Sequence, residues 1–415
     1  VSKIKKTYQF KLRPSKLQGE RLLSTIELCR RIYNACLFQR RIAYRDWNVS
    51  LTSYDQIKQL PEVKSNIGEY REVHSQVLQD VVRRVDKSYK NFFRRVRNGK
   101  ERPGFPRYKS MKRYDSFVYP QSGWKMEGTH LVLSKIGTVK VILSRRIPKN
   151  AIVNTVSVIR DRCGDWFVSF SVELESTSKP VPVPVPEDRS IGVDVGINKL
   201  AVLSNGDFIE NPKFIRKMGV RMKRIHRNVS RKTKGSNNRR KAVYRLARCY
   251  RKLGRMRKDY AHKSSLYLVN NFDLIAFEDL KIKNMVKNHN LAKSILDGCW
   301  DMLIRFTSYK AEEAGKIVVK VNPMNTSQEC SVCGALHKIS LSDRLFTCGH
   351  NRGSDFCIDR DLNASVNILK RAFEKLGWGP PEVKLAEPGP LCSPIRLDIS
   401  SGCETRISRI HSGVA

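Results

Sequence analysis

Acidic residues are scarce in this 415-residue chain: 39 Asp and Glu stand against 79 Lys and Arg, a formal net charge of +40. Such a field draws polyanions and weakens with salt, so nucleic acid is the expected partner. Long apolar runs are also absent. None approaches the roughly 20 residues that span a bilayer, and the start Val1-Ser2-Lys3-Ile4-Lys5-Lys6 has no signal-peptide core, so no membrane partner is expected. Disulfide spacing is missing too. The 11 cysteines are an odd number without a framework, which speaks for a reducing compartment. Cys29, Cys36, Cys163, Cys249 and Cys299 read as small buried apolar residues, whereas four others cluster between Cys330 and Cys357. There is no internal repeat, and the length suits two or three domains.

What is present falls into two patterns. Lys3 to Leu12 alternates like a strand, Pro14 ends it, and Leu17 to Tyr44 reads as a helix. Val73 to Val96 is a second helix, with Val77, Val81, Val85 and Phe92 on one side and basic residues around the rest. From Phe117 to Glu175 short β-type runs take over, at 131–133, 139–143, 153–159 and 166–174. Prolines 180, 182, 184 and 186 remove amide donors and mark a domain boundary. Beyond it strands are expected around Asp194 and over 200–204, the latter turning at Asn205-Gly206. A basic helical stretch, 213–263, has Asp259 as its only acid. A buried strand at 274–277, a helix at 291–315 and a strand at 317–321 follow.

Against this basic background three carboxylates sit in apolar runs. Asp194 lies in Ile191-Gly192-Val193-Asp194-Val195-Gly196, Glu278 follows Ile275-Ala276-Phe277, and Asp361 stands in Asp359-Arg360-Asp361-Leu362-Asn363-Ala364 at the start of a helix. Strand centre, strand end and helix start are places from which three acids converge on one point of an α/β sheet. Gathered anions raise one another's pKa, which two bound Mg²⁺ or Mn²⁺ ions relieve. Two such ions about 4 Å apart activate a water and stabilise the departing 3′ oxygen in phosphodiester hydrolysis. Singly, each acid is more simply a cap or an arginine partner; together they point to a metal-dependent nuclease. Asp279 and Asp359 are neighbours able to exchange roles with Glu278 and Asp361.

Cys330-x2-Cys333, closed by Gly334, is half of a zinc knuckle, and Cys348 supplies a third ligand. The fourth is open between Cys357 and His350, and a ribbon without metal is the alternative. Arg224, Arg231, Lys232, Lys234, Arg239 and Arg240 belong to the stretch nearly free of acids, where like charges repel unless phosphates neutralise them. Tyr89, Phe92, Phe93, Phe105 and Tyr108 interleave with charge in the first half, as base-stacking or core residues.

In this order the motifs resemble the TnpB family, insertion-sequence nucleases related to type V CRISPR effectors and Fanzor proteins. The likeness rests on Asp194-Val195-Gly196, Phe277-Glu278-Asp279-Leu280, Thr326-Ser327-Gln328 ahead of Cys330-Ser331-Val332-Cys333-Gly334, and Asp359 to Ala364, and it runs from about Lys3 to Leu376. The sequence departs from the family at Cys348-Gly349-His350, where a close-spaced second cysteine pair is usual.

The resemblance implies an RNA-guided DNA endonuclease of α+β multidomain fold. A β-barrel-like and helical N-terminal lobe would occupy 1–178, with a helical recognition segment inserted at 15–110, and a Pro-rich linker 179–188. An RNase H-like (RuvC) α/β domain would occupy 189–322 and 359–378, interrupted by a zinc ribbon at 323–358, with a disordered tail at 379–415. Asp194, Glu278 and Asp361 would be catalytic and hold Mg²⁺ or Mn²⁺, while the ribbon cysteines hold Zn²⁺. Guide RNA and double-stranded target DNA are the implied partners of a monomeric protein, cytoplasmic in a prokaryote or nuclear in a eukaryote. Tyr54 and Gln79 fall where the family reads a short motif beside the target. Alternatives are a nuclease-inactive RNA-guided repressor, which would have lost triad acids, and a transposase acting directly on element ends.

Overall fold

The computed structural model describes residues 3–99, 103–148, 150–175, 184–340, 343–349, 356–379 and 394–395; His350, part of the proline run and most of the tail lie outside them. The chain divides between residues 178 and 179 into two compact units.

In the first unit, β1 (Lys3–Arg13) leads into α1 (Lys16–Trp47), α2 (Ser53–Lys58), α3 (Leu60–Asn66) and α4 (Ser75–Asn98). Six strands follow: β2 (Ser116–Tyr119), β3 (Trp124–Glu127), β4 (His130–Leu133), β5 (Gly137–Ile142), β6 (Ile152–Arg160) and β7 (Trp166–Glu175). They form one antiparallel sheet with β1, in the order β2-β6-β7-β1-β5-β4-β3. Its edge strands β2 and β3 are joined by residues 120–123 alone, so chain length holds the edges near each other and the sheet nearly closes.

Ser15 and Gln18 form a capping box that starts α1, and Asn48 in the left-handed conformation stops it. Val77, Val81 and Val85, spaced one turn apart, are fully buried on one side of α4. The short helices α2 and α3 carry no long periodicity and were not foreseen; Pro61 starts the second of them. Buried Arg40 of α1 ties α2 and α4 to its own helix, donating to Gln56 of α2 at 2.8 Å and pairing with Asp86 of α4 at 3.2 Å.

The second unit opens with β8 (Ser190–Val195), β9 (Lys199–Leu203) and β10 (Phe208–Glu210), then α5 (Phe214–Ser230) and α6 (Asn237–Asn271). Next come β11 (Leu274–Glu278), α7 (Ile282–Met285), α8 (His289–Gly298), α9 (Trp300–Glu313) and β12 (Ile317–Val321). The hairpin β13 (Leu345–Cys348) and β14 (Phe356–Asp359) precedes α10 (Arg360–Leu376) and β15 (Pro394–Ile395). The main sheet runs β12-β11-β8-β9-β10-β15, with β8, β11 and β12 parallel.

Strand alternation sorts its two faces. Ile191, Val193, Val195, Ile275 and Phe277 share a core with Leu253, Leu268 and Leu303 of α6 and α9. Leu274 and Ala276 share another with Ile368, Leu369 and Phe373 of α10. Asp194 and Glu278 therefore belong to the α10 face.

The helix expected over 291–315 is broken at Cys299, which is left-handed at φ 55°. A Cβ on the preceding Gly298 would come within 2.8 Å of the Trp300 indole nitrogen. That nitrogen donates to the Gly196 carbonyl at 3.1 Å, so the break lets Trp300 brace the end of β8. Cys29, Cys36, Cys163 and Cys249 are buried as expected, whereas Cys299 is only half-buried.

Candidate active site and metal centre

Three elements bring the acids together. Strands β8 and β11 run parallel with Phe277 opposite Val193, so Glu278 ends its strand level with Asp194. Helix α10 lies directly on β8, because Gly192 has no side chain. A Cβ there would stand 2.0 Å from the Ser365 carbonyl oxygen and 2.9 Å from the Leu369 nitrogen. Asp194 is two residues along the strand from that crossing, and Asp361 is four residues, about one turn, back along the helix. The crossing thus sets the distance between the strand acids and the helix acid.

The electrostatics record this convergence. Burial, then the charges of Glu278 and Asp361, push the Asp194 carboxyl well above the usual carboxylate range, with Arg360 acting in the opposite sense. Burial also raises Glu278, opposed by the Thr326 hydroxyl and the charge of Arg371. Thr326 is buried and its hydroxyl donates to Glu278. Asp361 has Arg360 at 3.3 Å and Arg344 at 3.8 Å. Asp359 and Asp361 hold distinct positions. The Asp359 carboxylate caps α10, accepting from the backbone N–H groups of Asp361 at 2.9 Å and Leu362 at 3.1 Å, while Lys199 stands 3.8 Å away. Asp279 is exposed, and its N–H donates to Val321.

The segment 322–331 that carries Thr326 is bound to one side of α10. Asn367 donates to the carbonyls of Thr326 at 3.0 Å and Glu329 at 2.6 Å. Asn363 donates to Glu329 and accepts from the Ser331 N–H at 2.9 Å. Arg371 donates to the carbonyls of Asn322 and Met324. All three lie within three turns of Asp361, so one helix positions both its own acid and the hydroxyl against Glu278. This role of Thr326 was not foreseen.

The same segment ends in the knuckle. Cys330 and Gly334 close it, with the Cys330 N–H donating to Ala335 and the Gly334 N–H to Cys330. The ligand atoms of Cys330, Cys333 and Cys348 lie within 4.8 Å of one another, the sole such group among the described residues. A backbone hydrogen bond with Ala335, then the neighbouring cysteines, holds the Cys333 thiol below its usual range. Three converging thiols, one favouring the thiolate, suit a soft-ligand ion such as Zn²⁺. Cys357 is not brought to them. It pairs with Thr347 across the hairpin, and paired residues share a face while Cys348, one residue on, points to the other.

Of the expected nucleic-acid contacts, Arg224, Arg231, Lys232, Lys234 and Arg240 are exposed along α5, α6 and the turn between them. Arg239 is different: it is half-buried and donates to the carbonyls of Val229 at 3.3 Å and Lys232 at 2.9 Å, closing the turn itself. Tyr54 is exposed on α2 beneath the Lys58 ammonium, 4.5 Å from its ring centre, and Gln79 is half-buried on α4. Tyr89, Phe92, Phe93 and Phe105 pack on one another at 5.2–6.4 Å, with Phe93 and Phe105 still largely exposed.

Comparison with known proteins adds to this geometry. Residues 169–289 match a family model described as "Probable transposase", OrfB of IS605; 2–46 match the helix-turn-helix domain of the same group, and 300–368 a Cas12f1-like TNB domain. A protein of Streptomyces pristinaespiralis is 33% identical over 382 residues, 89% of this chain and 90% of its own. InsQ of Escherichia coli is 31% identical over 392 residues, 90% and 93% of the two chains. Both bear the name "Putative RNA-guided DNA endonuclease". The fold also superposes on Cas12f1 from its complex with single guide RNA and target DNA, at a TM-score of 0.50 and 15% identity, over 85% of this chain and 82% of that one.

Proposed function

We propose that this chain, which belongs to the TnpB family of insertion-sequence OrfB proteins, is an RNA-guided DNA endonuclease. The convergence of Asp194, Glu278 and Asp361 on one face of the second sheet, inside a chain of net charge +40, carries the reading. In it the second unit is an RNase H-like (RuvC) nuclease and the cysteine knuckle a zinc ribbon set into it. Guide RNA pairs with the target while the protein reads helix shape and a short adjacent motif, for which Tyr54 and Gln79 are the candidates. The exposed basic residues of α5 and α6 neutralise phosphates.

Asp194, Glu278 and Asp361 would hold Mg²⁺ or Mn²⁺, hard cations that take oxygen ligands and that act in pairs in phosphodiester hydrolysis. When bound, the ions supply Lewis acidity for attack of water on the phosphodiester and for departure of the 3′ oxygen. The chain's own part is to hold the three carboxyl groups gathered and fixed before DNA arrives, at a cost in charge repulsion and burial that a bound cation would offset. Its Thr326 hydroxyl keeps Glu278 oriented, the Asp359 cap fixes the start of α10, and Gly192 admits that helix to the strand.

The test is to sequence the RNA that co-purifies with the protein and supply its complement in a plasmid library with randomised flanking sequence. Cutting of both strands in library members sharing one flanking motif, only with RNA and divalent cation, is expected. A complex that binds these plasmids without cutting them overturns the nuclease assignment.

A further inference from the structure

The cysteine cluster is one ligand short. Structural Zn²⁺ sites take four ligands in a tetrahedron, and Cys330, Cys333 and Cys348 supply three. Burial along β13 agrees with the register that turns Cys357 away: Phe346 and Cys348 are buried, Leu345 and Thr347 exposed. A fourth donor has to stand on the Phe346 and Cys348 face.

His337 does. Its ring meets the fully buried Phe346 edge-on, at 5.2 Å between centres and 82° between planes. Its Nε2 lies 3.2 Å from the Cys348 sulfur, and the Cys333 sulfur lies 3.6 Å from that same atom. The His337 N–H donates to the Gln328 carbonyl at 2.9 Å, next to the bridge between Glu329 and Leu336. His337 therefore closes the same hairpin that presents Cys330 and Cys333. With Zn–S near 2.3 Å and Zn–N near 2.05 Å, a tetrahedron has S···S edges of about 3.8 Å and S···N edges of about 3.6 Å. The two separations at Cys348 fall within about 0.4 Å of those edges.

We propose that His337, through Nε2, is the fourth ligand of a zinc site built from three cysteines and one histidine. The inference rests on the reading of the cluster as a zinc centre. The imidazole is not within 4.8 Å of all three sulfurs, so seating the ion requires a rotation of the His337 side chain, and its half-buried position leaves room for one. The site would then be completed from the knuckle side. Binding would tie residues 328–337 to β13 without calling on the segment between β13 and β14.

The full chain with its co-purified RNA, loaded with Co²⁺ in place of Zn²⁺, provides a readout independent of DNA cutting. The visible bands of the wild type are expected to be those of a tetrahedral site with three sulfur ligands and one nitrogen. His337→Cys should keep one equivalent of metal and move the bands to longer wavelength. His337→Ala should weaken metal binding, measured against a chromophoric chelator, more than about a hundredfold, beyond the loss of an outer hydrogen bond. Cys357→Ala should leave both affinity and spectrum unchanged. An unshifted spectrum in His337→Cys, or loss of metal in Cys357→Ala or His350→Ala with His337→Ala unaffected, overturns the assignment. Wild-type protein that takes up no Zn²⁺ or Co²⁺ overturns the zinc reading itself.

Discussion

Replacing Gly192 by Ala tests the crossing that sets the acids' spacing. The added Cβ would begin 2.0 Å from the Ser365 carbonyl oxygen. Backbone on both sides leaves no flexible side chain to yield, so α10 must retreat about 1.4 Å to reach ordinary contact near 3.4 Å. Overpacking of this kind costs about 1–3 kcal/mol, which lowers Tm by about 2–4 °C per kcal/mol in a unit of roughly 200 residues. Asp361 rides on the first turn of α10 and moves with it, and a misplacement of about 1 Å in a catalytic constellation costs on the order of a hundredfold in rate. The assay pairs calorimetry with single-turnover plasmid cleavage at saturating guide RNA. The expected Gly192→Ala protein is folded, binds RNA as the wild type does, melts several degrees lower and cuts about a hundredfold more slowly. Unchanged cleavage with a lowered Tm would refute the link between this crossing and the catalytic geometry.

Other consequences follow from the same contacts. Thr326→Val removes a hydrogen bond to a buried carboxylate, worth about 1.5–3 kcal/mol, so cleavage should fall roughly 10- to 150-fold, with more cation needed for half-maximal rate. Thr326→Ser should restore both, and a valine variant with unaltered cation dependence would count against the positioning role. The raised Asp194 and Glu278 groups give the folded protein protons that the unfolded chain releases. Their contribution to stability is therefore full below the ordinary carboxylate range and lost as pH rises through the raised values. In EDTA, Tm should decline over that rise less steeply in Asp194→Asn than in wild type, and Mg²⁺ should recover stability in the wild type only; parallel curves would refute this. Arg239→Ala should lower stability by opening the turn between α5 and α6 but alter the salt dependence of RNA binding less than Arg231→Ala does, as filter binding at several salt concentrations would show.

Much of the site was legible in the sequence because a carboxylate inside an apolar strand is conspicuous. Asp194 and Glu278 announce themselves that way, and Asp361 follows from the helix onset after Asp359. Their mutual approach depended on a glycine whose meaning appears only once α10 lies on β8. Cys357, one of the two candidates for the fourth ligand, stands across the hairpin from Thr347 for a reason of parity: cysteine spacing is visible in a sequence, but the register of a two-stranded hairpin is not, and one residue decides which face a thiol occupies. His337 lies four residues after Cys333, an ordinary ligand spacing, yet a histidine outside the expected cysteine pair gave no signal of its own. The long helices showed their periodicity, whereas α2 and α3 were too short to have one, and the break at Cys299 follows a single glycine, Gly298, whose role shows only once Trp300 is seen packed against it. Arg239 looked like its basic neighbours because its carbonyl partners are set by the fold of the turn.

The most direct measurement is strand-resolved cleavage of a plasmid carrying target and adjacent motif by the wild-type ribonucleoprotein and its Asp194→Ala, Glu278→Ala and Asp361→Ala variants, alongside the RNA affinity of each. One shared metal site predicts that every variant loses cutting of both strands by at least about a thousandfold while holding RNA as the wild type does. A variant that retains cleavage of either strand, or guide-free joining of element ends by the wild type, would contradict the account.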